Sequence, residues 1–163
     1  MPSTTELIKE LREKTGAGIM ECKRAVDDAL GDMAKAEQLI KERGLAMAEK
    51  KAGREAGQGL IDSYVHAGRI GAMIELNCET DFVARTPDFR TLAREIAMQV
   101  AATNPSRISG PKDEASDGDV PLLDQPYIRD SSKTIQELLN ETIARVRENI
   151  VIRRFSRFEL GGQ

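Results

Sequence analysis

The first 45 residues repeat apolar side chains at helical spacing, and short polar or glycine-containing stretches interrupt the pattern twice. Ser3 and Glu6 have the spacing of a capping box, which predicts the start of the first helix. The segment Thr15-Gly16-Ala17-Gly18 is expected to end this helix, and a second helix is predicted over about residues 19–30. The positions predicted to face inward are Leu7, Ile8, Leu11, Ile19, Cys22, Val26, Ala29 and Leu30.

A third helix completes this N-terminal group. Asp32 is its predicted N-cap and Gly44 its predicted C′ residue, where glycine tolerates the left-handed conformation that ends many helices. Its inward-facing positions are predicted to be Met33, Ala36, Leu39 and Ile40. Three short helices predict a small bundle over residues 1–45. Residues 46–57 are rich in alanine and charge, so we predict a helical linker that is exposed on most sides.

The period of the apolar pattern changes to two after residue 57, which predicts a β-hairpin. The first strand is predicted over Leu60 to His66, and Ala67-Gly68 is the expected turn. In the second strand, the residues predicted to share the buried face are Ile70, Ala72, Ile74, Leu76 and Cys78. The hairpin therefore has one face directed toward a core.

Two longer helices are predicted to cover that face. Thr86 and Pro87 are a typical N-cap and first helical residue, and the helix they start is expected to reach about residue 102. Its apolar stripe is predicted to be Phe89, Leu92, Ala93, Ile96, Ala97, Val100 and Ala101. Thr134 and Glu137 have capping-box spacing and predict the start of the second of these helices.

The remainder of the chain predicts one irregular segment and one strand. Residues of about 106–119 are polar, acidic and rich in glycine and proline, so we predict a flexible segment there. A last strand is predicted over about residues 149–160, where basic and aromatic residues alternate. The predicted fold over residues 58–163 is therefore α+β, with three antiparallel strands and helices on one face.

The second predicted strand runs into a polar corner, and an aromatic residue follows directly. Glu79, Thr80 and Asp81 break the alternation, and Phe82 comes before the helix that starts at Pro87. Two interpretations are open at this point. Phe82 could plug the seam between strand and helix, or it could be an exposed aromatic side chain that contacts a partner.

Composition limits the classes to which the protein can belong. The chain has 163 residues, of which 40% are hydrophobic, and it can bury a modest core. Its net charge of −3 argues against direct nucleic-acid binding, because nucleic-acid binders usually carry a basic excess. No apolar run approaches the roughly 20 residues of a membrane helix, and the N-terminus does not resemble a signal peptide. We therefore expect a cytoplasmic protein without a membrane partner.

Residues that support catalysis or metal binding do not cluster in this sequence. Cys22 and Cys78 lie in different predicted elements and the chain has one histidine, so we expect reduced thiols and no zinc site. The Thr15–Gly18 segment has the glycines of a phosphate loop but lacks the Lys-Ser/Thr pair that follows in such loops. We expect neither an enzyme nor a cofactor.

Three stretches together resemble the bacterial elongation factor Ts family. They are Leu11–Lys23, Glu75–Ala84 and Glu148–Phe155, and the resemblance extends over nearly all of the chain. Members of that family act on the translational GTPase elongation factor Tu during protein biosynthesis. The resemblance therefore implies a ubiquitin-associated-like N-terminal bundle and a guanine-nucleotide exchange factor that is not itself an enzyme.

The resemblance also implies which residues contact the GTPase. The residues that match the motif intruding near the bound magnesium, which loosens GDP, are Thr80, Asp81, Phe82 and Val83. The residues that match the contact of the bundle with a helix of the GTPase domain are Arg12, Ile19, Met20 and Lys23. His66 matches a histidine that meets the GTPase near the intruding phenylalanine. Without the resemblance, the pattern also fits bundle core for Ile19 and Met20, solvated charges for Arg12 and Lys23, and an ordinary surface position for His66.

The chain departs from the family pattern in length. It lacks the long second core repeat of full-length members, and residues of about 106–119 stand where other short members carry a helical hairpin. A single core repeat implies a homodimer, in which the second subunit takes the place that the second repeat has in full-length members. Two alternatives are a protein-interaction scaffold and an RNA-associated chaperone without exchange activity; the second is suggested by the basic residues Arg153, Arg154 and Arg157.

Overall fold

The computed structural model describes residues 1–111 and 119–162. In chain order its elements are α1 (Thr4–Thr15), α2 (Ile19–Asp28), α3 (Met33–Lys51), β1 (Gln58–His66), β2 (Ile70–Cys78), α4 (Asp81–Ala84), α5 (Pro87–Thr103), a 3₁₀ turn (Leu122–Asp124), β3 (Pro126–Tyr127), β4 (Asp130–Thr134), α6 (Ile135–Val146) and β5 (Ile150–Glu159). The predicted α+β fold, with N-terminal helices followed by a three-stranded antiparallel sheet and helices, is confirmed. No helix within these described residues is long and apolar enough to cross a membrane.

Helices α1, α2 and α3 close a small core of their own. The predicted capping box is present, since Glu6 N–H donates to Ser3 Oγ at 3.3 Å and Ser3 N–H donates to Glu6 Oε2 at 2.7 Å. The fully buried side chains of this core are Leu11, Cys22, Ala25 and Ala36. The prediction that Ile19 and Leu30 face inward is wrong. Ile19 is the first residue of α2, and Leu30 follows its end with a positive φ of 53°, so neither lies on the buried stripe.

Helix α3 does not end at Gly44, and this prediction was also wrong. The helix continues for seven further residues to Lys51, and Gly44 is buried inside it. Helix α3 packs on α6 at this position: a Cβ placed at Gly44 would lie 3.8 Å from the backbone oxygen of Asn140, an ordinary van der Waals distance. The same contact includes an ion pair of 3.0 Å between Lys41 Nζ and Glu137 Oε2. The predicted boundary after residue 45 therefore falls within one continuous helix, and independent folding of the bundle stays a prediction.

The three-stranded sheet has the order β1–β2–β5, with both neighbouring pairs antiparallel. Cys78, the last residue of β2, pairs with Gln58 on one side and with Ile150 on the other. A register shift after Glu75 places a bulge in the β2–β5 pair. Helix α5 covers one face of the sheet, and its predicted apolar stripe is buried throughout. The core is therefore a single helix layer on one side of a small sheet.

A two-stranded sheet, β3–β4, was not predicted. It is anchored by Gln99 of α5, a completely buried side chain whose amide donates to Gln125 Oε1 at 3.0 Å and to the backbone oxygen of Pro126 at 3.1 Å. Gln99 Oε1 accepts the backbone N–H of Ile128 at 2.9 Å. All of these bonds join residues more than 25 positions apart, so local sequence patterns contain no sign of them.

Half of the predicted flexible segment of about 106–119, residues 112–118, lies outside the described residues. Its two ends are described and are held together. Arg107 Nη1 lies 3.1 Å from Asp119 Oδ2, and the backbone oxygen of Arg107 accepts the N–H of Leu122 at 3.0 Å. Both ends of this segment therefore meet next to the 3₁₀ turn.

Candidate functional site

The polar corner after β2 is built around two threonine caps. Thr80 is the N-cap of α4, and its Oγ1 accepts the N–H of Val83 at 3.3 Å. Thr86 closes the other end, where its hydroxyl donates to the backbone oxygen of Val83 at 2.7 Å. The same Thr86 oxygen accepts the N–H of Phe89 and caps α5. The four-residue helix α4 is therefore held by a threonine at each end, Thr80 before it and Thr86 after it.

Phe82 is directed into solvent from this corner. Its side chain is 81% exposed, whereas the next two residues, Val83 and Ala84, are each only 7% exposed. Successive residues in a helix point about 100° apart, so burial of Val83 and Ala84 turns Phe82 outward. The seam between β2 and α5 is filled by these smaller side chains, and the interpretation of Phe82 as a core plug is wrong.

Asp81 is exposed beside Phe82. Its Oδ2 lies 3.2 Å from Arg85 Nη2 one helical turn later, and both side chains are largely exposed. Ion pairs of this kind contribute about 0–1 kcal/mol because water screens them. A partner can therefore separate Asp81 from Arg85 at small cost, and Asp81 can take part in new polar contacts.

The two residues that precede β5, Glu148 and Asn149, hold the corner by hydrogen bonds. Glu148 Oε1 accepts the N–H of Thr80 at 3.0 Å, and its Oε2 accepts the Thr80 hydroxyl at 2.8 Å. The N–H of Asn149 donates to Glu79 Oε1 at 3.0 Å. These supporting roles of Glu79, Glu148 and Asn149 were not predicted. The only sign in the sequence was the resemblance of Glu148–Phe155 to a family motif, which assigned it no role.

The thiol of Cys78 lies directly beneath this corner. It is completely buried and donates to the backbone oxygen of Thr80 at 3.0 Å. Burial, with a smaller contribution from the negative charge of Glu148, raises the pKa of Cys78 to about 11. The thiol therefore stays protonated at neutral pH and does not act as a nucleophile. Among residues 1–111 and 119–162 no group of three His, Cys, Asp or Glu side chains is arranged to hold a metal ion.

The predicted contact residues of the bundle flank one short loop. Arg12 is in the last turn of α1, and Ile19, Met20 and Lys23 are in the first turns of α2. All four side chains are exposed, and the two apolar ones are adjacent, with Ile19 54% and Met20 59% exposed. The structure therefore places two neighbouring apolar side chains and two cations around the connection between α1 and α2.

His66 lies far from Phe82 within one chain. It is the last residue of β1 and pairs with Ile70 at the hairpin turn, whereas the corner follows Cys78 at the opposite end of β2. Eight residue steps of about 3.3 Å separate these two ends, which is roughly 26 Å. The His66 ring nitrogen Nδ1 is 3.0 Å from the hydroxyl of Tyr64. His66 and the corner with Phe82 are therefore separate groups within one chain.

Comparison with known proteins gives one consistent family. The sequence model of the family described as Elongation factor TS matches residues 8–116 and 79–163. Elongation factor Ts of Thermoanaerobacter sp. (strain X514) is 47% identical over 193 aligned positions, which cover 97% of this chain and 95% of that protein. Elongation factor Ts of Thermodesulfovibrio yellowstonii is 45% identical over 194 positions, which cover 99% and 98%. Elongation factor Ts of Acetivibrio thermocellus is 46% identical over 195 positions, which cover 97% and 90%.

Proposed function

The chain belongs to the elongation factor Ts family, and on this premise we propose that it is a guanine-nucleotide exchange factor for translation elongation factor Tu. The observation that supports this proposal most is the exposed Phe82 beside Asp81 on a capped corner. Exchange makes and breaks no covalent bond, so the protein acts by binding and is not an enzyme. Its place of action is the cytoplasm, where its partner works in protein synthesis.

In the proposed mechanism, Phe82 enters a pocket of the GTPase domain that opens when the magnesium site is disturbed. A thousandfold acceleration of GDP release needs roughly 4 kcal/mol of differential binding. Burial of one phenylalanine supplies about 1.5–3 kcal/mol, so Phe82 cannot provide the whole effect. Asp81 is proposed to change the polar contacts around the metal without binding it. Because coupling is reciprocal, GDP with magnesium must weaken the complex by the same factor.

The bundle is proposed to provide the second contact. Ile19 and Met20 offer exposed apolar area and Arg12 and Lys23 offer positive charge, which suits the surface of a helix on the GTPase domain. Helix α3 runs unbroken from the bundle into the contact with α6, and this supports a constant spacing between the bundle and the corner. Two contacts at constant spacing bind more strongly than either one alone.

We propose that the protein is a homodimer. Helix α5 covers one face of the sheet, and the other face exposes the apolar side chains Ile61, Val65, Met73 and Phe158. Val65 and Phe158 are both opposite Gly71 in the strand register, and Met73 is opposite Ser63 and Ser156, so these side chains share that face. Symmetric association through it would bury the exposed apolar area and give the assembly two equivalent corners.

The RNA-associated alternative receives little support from the final strand. Arg154 Nε is 2.8 Å from Glu75 Oε1, and Arg157 donates to the backbone oxygen of Ala101 at 3.1 Å and lies 3.5 Å from Glu159. Two of the three basic side chains in question are therefore engaged within the chain. A scaffold without exchange activity would bind the GTPase without accelerating GDP release, and its affinity would not depend on GDP.

Release of a fluorescent GDP from elongation factor Tu tests the proposal directly. The protein is expected to accelerate release by at least about a hundredfold at saturation, and added GDP with magnesium is expected to dissociate the complex. Binding without acceleration would indicate a scaffold, and an affinity that does not depend on GDP in titration calorimetry would contradict the exchange function. Binding to RNA instead of the GTPase would favour the chaperone alternative.

A further inference from the structure

The corner that carries Phe82 is held by residues from the other end of the core. The consecutive residues Glu79 and Thr80 bond to the consecutive residues Glu148 and Asn149. Thr80 donates two hydrogen bonds to Glu148, and Asn149 donates one to Glu79. The paired residues are 68 and 70 positions apart in sequence. We call these four residues, Glu79, Thr80, Glu148 and Asn149, the corner clamp. It joins the start of α4 to the segment between α6 and β5.

Glu148 determines how the Thr80 hydroxyl is oriented. That hydroxyl has one proton, which it donates to Glu148 Oε2, and its lone pairs accept the N–H of Val83. With the proton committed to the carboxylate, a lone pair is left to face the first turn of α4. The second carboxylate oxygen also holds the backbone N–H of Thr80. The hydroxyl and the backbone N–H of Thr80, the residue before Asp81, are therefore both oriented by the Glu148 carboxylate.

Helix α4 cannot set its own direction. It has four residues, and a single helical turn is unstable in isolation because fixing its backbone costs more than one hydrogen bond returns. The largely exposed Phe82 ring has little packing to hold it in place. The direction of Phe82 therefore depends on the caps of α4 and on the burial of Val83 and Ala84.

The corner clamp is also tied to the segment that leaves α3. The side-chain amide of Asn149 donates to the backbone oxygens of Ala52 at 3.4 Å and Arg54 at 2.8 Å. Arg54 Nη1 lies 3.7 Å from Glu79 Oε2 and completes the connection. Three segments of the chain therefore meet below Phe82, including the one that carries the bundle.

We propose that Glu148 is a positioning residue that holds Phe82 in the direction required for nucleotide release. This inference rests on the proposed exchange function. Hydrogen bonds to a charged acceptor are about twice as strong as neutral ones, so the carboxylate gives the corner a stiffness that an amide cannot. A side chain that is already oriented loses less conformational freedom when its pocket forms. Glu148 is therefore expected to affect the release step more than the binding of the two proteins.

The test compares full-length Glu148→Gln with wild-type protein on elongation factor Tu loaded with fluorescent GDP. Glutamine has the same shape but one acceptor oxygen, so it keeps at most one of the two bonds from Thr80. GDP release at saturating factor is expected to slow about fivefold, with the half-saturating concentration changed less than about twofold. Thr80→Val, which loses the hydroxyl that donates to Glu148, is expected to have a similar effect.

Glu141→Gln is the matched control. Glu141 is on α6, outside the corner clamp, and its carboxylate lies 3.1 Å from Lys133 Nζ, so release is expected to be unchanged. A second measurement does not involve the GTPase: hydrogen exchange of the Val83 amide in the free protein is expected to accelerate about tenfold in Glu148→Gln. Equal melting temperatures of the variants would separate positioning from a general loss of stability.

The outcomes separate the two proposals. If wild-type protein does not accelerate GDP release, the exchange function is wrong, while the Val83 amide still reports whether Glu148 orders the corner. If wild-type protein is active and Glu148→Gln loosens Val83 without slowing release, the positioning role is overturned. The positioning role would also be overturned if Glu148→Gln weakened binding to the GTPase without slowing GDP release at saturation. An equal slowing of release in Glu141→Gln would overturn it as well.

Discussion

Gly44 of α3 lies against the backbone of Asn140 of α6, and this close approach joins the N-terminal bundle to the core. A Cβ at Gly44 would meet the Asn140 oxygen at 3.8 Å, which is an ordinary van der Waals distance. There is room for a methyl group at this position but not for a long side chain. The contact limits the size of the side chain in the middle of this helix of 19 residues but does not itself require glycine.

Gly44→Ala is expected to stabilise the protein. Glycine in a helix interior costs about 0.5–1 kcal/mol relative to alanine, and the added methyl group fits without displacing Asn140. The free energy of unfolding, measured by urea denaturation, should rise by about this amount. Gly44→Leu should lower it, because the two helices would be pushed apart. A destabilised Gly44→Ala protein would contradict the described packing of α3 on α6.

Removal of residues 1–45 is expected to leave a folded core. The sheet and α5 retain their packing, and the bundle has a separate apolar core. The shortened protein should melt cooperatively but at a lower temperature, because the contacts of Lys41 and Gly44 with α6 are lost. Circular dichroism and thermal unfolding measure both. An unfolded spectrum would show that the bundle is an integral part of the core.

Phe82→Ala is expected to separate function from stability. The side chain is 81% exposed, so the free energy of unfolding should change by less than about 1 kcal/mol. GDP release from elongation factor Tu should slow tenfold or more, with binding retained in part through the bundle. Asp81→Ala should give a milder loss of the same kind. Melting curves and release kinetics are to be measured on the same preparation.

Two buried residues provide the contrast for Phe82. Phe89→Ala is expected to cost about 3–5 kcal/mol because that ring is completely buried. Val83→Ala is expected to lower stability as well, since Val83 fills the seam below the corner. If Phe82→Ala lowered the melting temperature as strongly as Phe89→Ala while release per folded molecule stayed normal, Phe82 would be a structural residue.

Met73→Asp is expected to convert a dimer into a monomer. Met73 is on the open face of the sheet, and a carboxylate buried there would lack a partner. Light scattering at tens of micromolar should give a dimer mass for the wild type and a monomer mass for the variant. Ile128→Asp, which changes an exposed apolar residue in the β3–β4 turn, should leave the mass unchanged. A monomeric wild-type protein with full exchange activity would contradict the proposed dimer.

Stability is expected to fall between about pH 9 and pH 11. Burial raises the pKa of Cys78 from 9.0 to about 11, so the unfolded chain releases this proton at lower pH than the folded protein. The contribution is fully present below pH 9 and is lost as the pH rises through 11. Burial also raises the pKa of Cys22 and of Tyr127, and these groups act in the same direction.

The contribution of Cys78 can be isolated by substitution. Alanine has no group that ionises in this pH range, so the variant lacks this contribution. Urea denaturation at pH 8 and at pH 11 should therefore show a smaller fall in the free energy of unfolding for Cys78→Ala than for wild type. Loss of packing lowers both values for the variant and does not affect this difference. Equal falls for the two proteins would contradict the raised pKa.

Much of the fold was determined by local sequence. The apolar stripe of α5 and the alternation in β2 both predict which face is buried, because those periods arise from backbone geometry within one element. The caps Ser3, Thr86 and Thr134 were predicted for the same reason, since each acts on an N–H three residues away. At Thr134 only half of the predicted capping box forms, because Glu137 pairs with Lys41.

The tertiary structure decided whatever depends on residues far apart in the chain. The helix-ending role expected of Gly44 was replaced by a close contact with α6, and β3 and β4 depend on a buried glutamine of α5. The exposure of Phe82 was left open by the sequence because Val83 and Ala84 compete with it for the same seam. Glu148 shows the difference most clearly: nothing within its own segment indicates a carboxylate bound to a threonine 68 residues earlier. Such a contact arises only when the core packs and brings the two segments together.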